Sequence, residues 1–285
     1  MKNGLVLEGG GMRGMFTSGV IDVFLENDIK FDGAIGVSAG ATFGCNYKSK
    51  QQGRALRYNK KYGKDKRYCS LKNLLLTGDL FGAEFCYKTL PQELDIFDFK
   101  TYKENPMEFY CVVNDCKTGK PIYKKLETCV ASEMDWLRAS ASLPIVSRVV
   151  KIDGNELLDG GITDSIPLKA FEDLGYQKNV VILTQPKGFV KKASHSKLIA
   201  SLALRKYPLV KEAWFKRHEV YNAERDYVFE REKQGFCLAI CPKSDLNIGR
   251  AELNPQSLQR VYDEGRLCGI ENLNAVKEFL RRVDL

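Results

Sequence analysis

The sequence predicts an α/β fold, a mainly parallel sheet with helices packed against it. Two observations carry that prediction. From the N-terminus, short apolar runs alternate with stretches of helical periodicity in the order strand, helix, strand, helix, joined by short connections. The second is bulk: 285 residues, 44% hydrophobic and 28% charged, suffice for one large domain or one domain with an extension.

Leu5-Val6-Leu7 is a short apolar run ending in glycines, as suits a buried strand. From Met12 to Glu26, Met15, Phe16, Gly19, Val20, Val23 and Phe24 recur at helical spacing, and Asn27-Asp28 closes that helix. Ala34 to Val37 is the next strand, and Ala39 to about Ser49 the next helix. Residues 50–105 are less regular and read as helices with loops. Phe109 to Val113 is a strong strand, with Lys120 to Lys124 as its partner across a turn. Glu133 to Ala141 is a helix ending before Leu143-Pro144. Val149 to Ile152 and Glu156 to Leu158 flank Asp153-Gly154-Asn155, a hairpin signal. Pro167 to Leu174 is a helix with proline at its start. Val180 to Leu183 is another buried strand. A basic helical stretch runs from about Ser196 to Glu232, interrupted near Pro208. Phe236 to Ile240 is a late strand, and Pro255 to Val283 is helical. A boundary near Pro186-Lys187-Gly188 divides residues 1–187 from a mostly helical segment, 188–285.

Charge is unevenly spread. The formal net charge is +8, yet residues 48–72 carry ten Lys/Arg against one acid, and residues 187–217 carry nine against one. The remainder is net acidic. Two basic segments on an acidic protein read either as solvated helix faces or as attraction to an anionic surface, lipid headgroups or nucleic acid. No apolar run approaches the roughly 20 residues of a membrane span. The first apolar stretch ends at Glu8, too early for a signal peptide, so the expectation is a cytoplasmic protein. The closest cysteine pairs, Cys111/Cys116 and Cys237/Cys241, make no CxxC, and His195 and His218 do not stand at zinc spacing. Reduced, mostly buried thiols are expected, with no metal.

Three glycine-rich sites carry the chemistry. Gly9-Gly10-Gly11-Met12-Arg13-Gly14 joins a strand to a helix and imitates a dinucleotide fingerprint. That fingerprint needs an acid at the end of the second strand; here Asp32 precedes the strand and Val37-Ser38 ends it. Backbone N–H groups of such a loop also stabilise an oxyanion, and glycine lets them approach a reacting carbonyl. Arg13 adds a cation nearby, catalytic or else engaged in a salt bridge or a phosphate-headgroup contact with no catalytic role. Gly36-Val37-Ser38-Ala39-Gly40 lies between strand and helix, where a nucleophile elbow holds a serine in a strained turn. Asp159-Gly160-Gly161 is by itself only a turn signal. It gains interest because Ser38 needs a base. His195 and His218 both lie in the basic helical tract outside any turn motif, so a histidine triad is disfavoured against direct contact with Asp159.

Taken in order, these three motifs make the sequence resemble the patatin-like phospholipase family. Arg138-Ala139-Ser140-Ala141-Ser142-Leu143-Pro144 also looks like the family's segment ahead of the aspartate. The resemblance covers about residues 4–187. It implies a three-layer α/β/α sandwich with a mainly parallel central sheet. It implies Ser38 as nucleophile, Asp159 as base, Gly9–Gly14 as oxyanion hole, and Gly36 and Gly40 as the glycines of the elbow. Acyl esters of glycerolipids would be cleaved through an acyl-serine intermediate, without metal or cofactor. Residues 188–285 resemble the C-terminal extension of bacterial members. Ser165-Ile166-Pro167 departs from the family, which often has asparagine before the proline region. The expected partners are a lipid or other acyl ester and, peripherally, an anionic membrane at its inner face; nucleic acid is not expected and oligomeric state is open. Alternatives are a transacylase or small-ester esterase on the same dyad, a lipid-binding protein without turnover, and a nucleotide-binding regulator using the Gly9–Gly14 loop.

Overall fold

The computed structural model describes residues 1–193 and 197–282. The chain opens with β1 (Asn3–Leu7), a single 3-10 turn over Gly11–Arg13, α1 (Gly14–Glu26), β2 (Gly33–Val37) and α2 (Ala39–Lys48). The irregular stretch becomes α3 (Arg54–Tyr62), α4 (Leu71–Thr77), a π-helix over Phe85–Leu94 and α5 (Phe99–Glu104). β3 (Glu108–Asp115), β4 (Pro121–Lys125), α6 (Ala131–Ser140), β5 (Val150–Ile152), β6 (Asn155–Asp159) and α7 (Leu168–Asp173) follow. The chain closes with β7 (Lys178–Ile182), α8 (Lys197–Ala203), α9 (Pro208–Lys233), β8 (Cys237–Ile240) and α10 (Pro255–Arg281). The helix expected from Met12 begins two residues later, because the Gly11–Arg13 turn is wound more tightly.

These strands form one sheet in the order β5-β6-β3-β2-β1-β7-β8, with β4 also paired to β3. The pairs β3/β2, β2/β1, β1/β7 and β7/β8 are parallel, whereas β4 and β6 run antiparallel to β3, and β5 antiparallel to β6. Both faces of the central strands are buried, the pattern of a parallel sheet covered by helices on two sides. One face carries a large core that includes Leu5, Leu7, Phe16, Phe43, Phe109 and Val261. The other packs Val6, Ile35, Val37, Val181, Phe171 and Val228. The fold is therefore a helix–sheet–helix sandwich with a mainly parallel centre, as expected.

Residues beyond 187 take part in this same sheet and its layers. β8 pairs with β7 in register Val180↔Leu238 and Val181↔Ala239. α10 lies against α1 so closely that a Cβ built on Gly265 would stand 2.1 Å from Phe16 O, and one on Gly19 2.1 Å from Tyr262 O. The buried Asp22 carboxylate of α1 accepts from Tyr262 Oη of α10 at 2.6 Å and from Gly53 N at 2.8 Å.

Candidate active site

Strand register brings the site together. β2 pairs with β3 up to Val37↔Val112, so Ser38 leaves the sheet beside Val112. On the other side of β3, β6 runs in the opposite direction and ends with Val113↔Asp159. Ser38 and Asp159 thus emerge at the same level of the sheet, on either side of β3.

Ser38 sits between β2 and α2 with φ 54° and ψ −119°, a conformation that costs a non-glycine residue about 1–3 kcal/mol. The surroundings enforce it. A Cβ on Gly36 would lie 2.5 Å from Gly40 O, and one on Gly40 2.3 Å from Leu7 O, so only glycine lets the turn close against β1. The Ser38 side chain makes no capping bond to α2, which leaves its hydroxyl available. Its amide donates to Ser140 Oγ at 2.9 Å, and that hydroxyl donates to Val112 O at 2.7 Å. Two residues on, Ser142 O accepts from the Asp159 amide at 2.9 Å. The 138–144 segment therefore supports both Ser38 and Asp159.

Asp159 is buried at 1% exposure. Its Oδ1 accepts from Gly161 N at 2.8 Å, and its Oδ2 has no partner among the described residues. Burial raises its pKa above the ordinary carboxylate range; Arg217, the nearby Ser38 side chain, the Gly161 amide and Arg250 pull it partly back. Ser38 lies near enough to exert that pull although no complete hydrogen bond closes between the two. The departure at Ser165 is accommodated: its hydroxyl donates to Gly161 O at 3.0 Å, while Glu224 accepts from its amide at 3.1 Å.

The glycine loop lies directly beside Ser38, since a Cβ on Gly9 would be 3.2 Å from Ser38 Cβ. Not all of its amides are available. Gly9 N donates to Ser165 O at 3.3 Å, Met12 N to Arg250 O at 3.1 Å, and Gly14 N turns back to Gly11 O and Met12 O. Among the described residues, the amides of Gly10 and Gly11 have no acceptor. Arg13 points its Nε at Thr184 Oγ1, 3.4 Å away. Behind the loop, the buried Glu8 accepts from Thr184 N at 2.6 Å and Tyr221 Oη at 2.7 Å, tying the ends of β1 and β7 to α9.

A cavity of about 380 Å³ opens from Ser38, within the roughly 300–1,000 Å³ usual for small-molecule sites. Its wall is mostly apolar and aromatic, with Phe43, Tyr58, Leu90, Phe97, Met134 and Leu137 among the lining residues. The Arg54 cation on the wall is neutralised by the buried Asp95 at 3.1 Å.

His218 is not brought to Ser38: Nδ1 lies 3.1 Å from Phe215 O and Nε2 3.7 Å from Glu219, both on its own helix α9. His195 falls outside the described residues. The nine cysteines are free, and among the described residues no cluster of His, Cys, Asp and Glu could hold a metal. Sequence reasoning missed Glu8, Arg217 and Arg250 at this site, because each acts across a long chain separation; Ser140 lies in the 138–144 segment singled out by resemblance, without its bond to the Ser38 amide being readable.

The site thus combines an α/β sandwich with a serine in a strained strand-to-helix turn and an aspartate ending a nearby strand. The chain belongs to the patatin-like phospholipase family, whose model matches residues 5–172. Residues 207–281 match a second model, a domain of unknown function, DUF6363. Among curated relatives, the uncharacterized protein YjjU of Escherichia coli K12 is 31% identical over 201 residues, 64% of this chain and 52% of YjjU. The lysophospholipase nte1 of Aspergillus terreus is 28% identical over 183 residues, 60% of this chain and 11% of that protein. The chain thus spans about half the length of YjjU and about a tenth of nte1. Among solved structures, VipD from Legionella pneumophila aligns at a TM-score of 0.49 and 14% identity, over 96% of this chain and 67% of that one.

Proposed function

We propose that the protein is a serine acyl hydrolase that cleaves carboxylic esters of lipids, of the phospholipase A or lysophospholipase type. The observation that carries this reading is Ser38, held in its strained turn within reach of the Asp159 carboxylate, whose Oδ2 has no partner among the described residues. Asp159 takes the hydroxyl proton as Ser38 attacks the ester carbonyl. The tetrahedral oxyanion is held by the Gly10 and Gly11 amides, the loop donors not already engaged. Its collapse expels the alcohol, to which Asp159 returns the proton. Water, deprotonated by Asp159, then releases the fatty acid from the acyl-serine. The apolar cavity accommodates the acyl chain. The lysophospholipase name of the nte1 relatives supports this class of substrate.

The test is fatty-acid release from a lysophospholipid. The wild type should turn it over, and Ser38→Ala should lose at least about a thousandfold in kcat, as expected when a nucleophile is removed. Undiminished release by Ser38→Ala would refute the mechanism. Acyl transfer to an added alcohol in preference to water would instead favour the transacylase reading on the same residues.

A further inference from the structure

Three arginines, Arg13, Arg217 and Arg250, stand close enough to influence one another beside the Ser38 cavity. Arg250 and Trp214 both line the cavity. Arg217, one turn after Trp214 on α9, lies with its guanidinium carbon 5.4 Å from the Trp214 ring centroid and donates through Nε to Gly161 O, beside Asp159. The backbone of Arg250 rests on the glycine loop: its carbonyl accepts from Met12 N, and a Cβ on Gly11 would meet it at 2.5 Å. Arg13 belongs to that loop. Among the described residues, none of Arg13, Arg217 and Arg250 has a carboxylate within salt-bridge distance. The Trp214 indole N–H is buried with no acceptor among the described residues. Desolvation lowers the pKa of both Arg217 and Arg250; at Arg217 the carboxylates of Asp159 and Glu224 oppose it, whereas at Arg250 both Arg217 and Arg13 add to the lowering. Like charges set side by side are costly unless an anion joins them, and arginine forks suit phosphate oxygens.

We propose that Arg13, Arg217 and Arg250, with the Trp214 indole N–H, form a phosphate subsite beside Ser38, so that the preferred ester carries a phosphate-bearing headgroup. This rests on the acyl-hydrolase reading for its substrate, and it deepens it. In a glycerophospholipid the phosphate stands only a few bonds from the scissile carbonyl, which matches Arg250 and the reactive serine lining one cavity with Arg13 and Arg217 beside Arg250. Trp214, Arg217 and Arg250 all fall in the segment of unknown function, 207–281, which thereby acquires a role in choosing the substrate.

Two measurements test it. In the first, Ser38→Ala is titrated calorimetrically with glycerol 3-phosphate, glycerol and inorganic phosphate, a readout independent of turnover. Glycerol 3-phosphate should bind and glycerol should not, and adding Arg250→Gln should weaken binding at least tenfold while Arg250→Lys retains part of it. Equal binding of the phosphate ester with and without Arg250→Gln would overturn the subsite. Tighter binding of inorganic phosphate than of the ester would overturn the headgroup assignment in favour of the free ion. In the second, kcat/KM is compared between 1-acylglycerol 3-phosphate and the matching uncharged monoacylglycerol. Arg250→Gln should lower the preference for the phosphate substrate at least tenfold, mainly through KM; equal losses on both would reduce Arg250 to structural support. A wild type that binds glycerol 3-phosphate yet cleaves neither ester would refute the hydrolase reading and leave the phosphate subsite standing.

Discussion

Asp159 shows what a single buried carboxylate is asked to do. As a free aspartate it would be a weak base, with a pKa of ~3.9. Desolvation at its position raises that value, while Arg217, Ser38 and the Gly161 amide keep the ionised form accessible. The consequence for stability has a definite sign. The folded chain holds this proton more tightly than the unfolded one, so ionised Asp159 costs stability, and the cost fades as pH falls through the folded pKa towards ~3.9. The consequence for activity is an acid limb in kcat/KM that lies above pH ~4 and reports the base of the free enzyme. A pH–rate profile that stays flat down to pH ~4 would contradict this assignment. Ser38 and Asp159 were legible in the sequence because each sits in a local turn motif. The segment holding Ser140 stood out only through the resemblance; the bond its hydroxyl accepts from the Ser38 amide, 102 residues away, was not readable.

Among the elements, those with a clean period were readable and those without were not. β1, β2, β3 and β7 are buried apolar runs and α1 has a helical stripe, so each was placed to within a few residues. The stretch 50–105 resisted because the Phe85–Leu94 helix is wound as a π-helix with Pro91 inside it, which breaks the 3.6-residue period. The pairing of α1 with α10 was equally hidden: Gly19 and Gly265 look like weak points in two helices, and only the fold shows that each makes room for the other's backbone. Gly265→Ala should therefore destabilise the protein by about 1–3 kcal/mol, the usual cost of overpacking. The midpoint of urea unfolding measures it; a change below about 0.5 kcal/mol would mean that the two helices separate without loss.

At the scale of the whole molecule, the basic segments divide in two. Part of their charge turns inward: Lys48 and Arg54 are buried, Arg54 against Asp95, and Arg217 reaches the loop after Asp159. Composition alone did not separate these from solvated lysines, because burial is decided by tertiary packing. Along the chain, the exposed remainder adjoins apolar side chains left in solvent, Leu75 at 85% and Leu198 at 86% exposure, on α4 and α8. Among the described residues no helix is long and apolar enough to cross a membrane. We expect peripheral binding to vesicles containing anionic lipid that weakens steeply as salt is raised. Binding of equal strength to neutral vesicles in co-sedimentation would exclude electrostatic docking. The proposed chemistry turns on one covalent bond, which labelling with a fluorophosphonate probe followed by peptide mass spectrometry reads out. The adduct should map to Ser38, vanish in Ser38→Ala and form far more slowly in Asp159→Asn; an adduct on any other residue, or one that persists in Ser38→Ala, would contradict it.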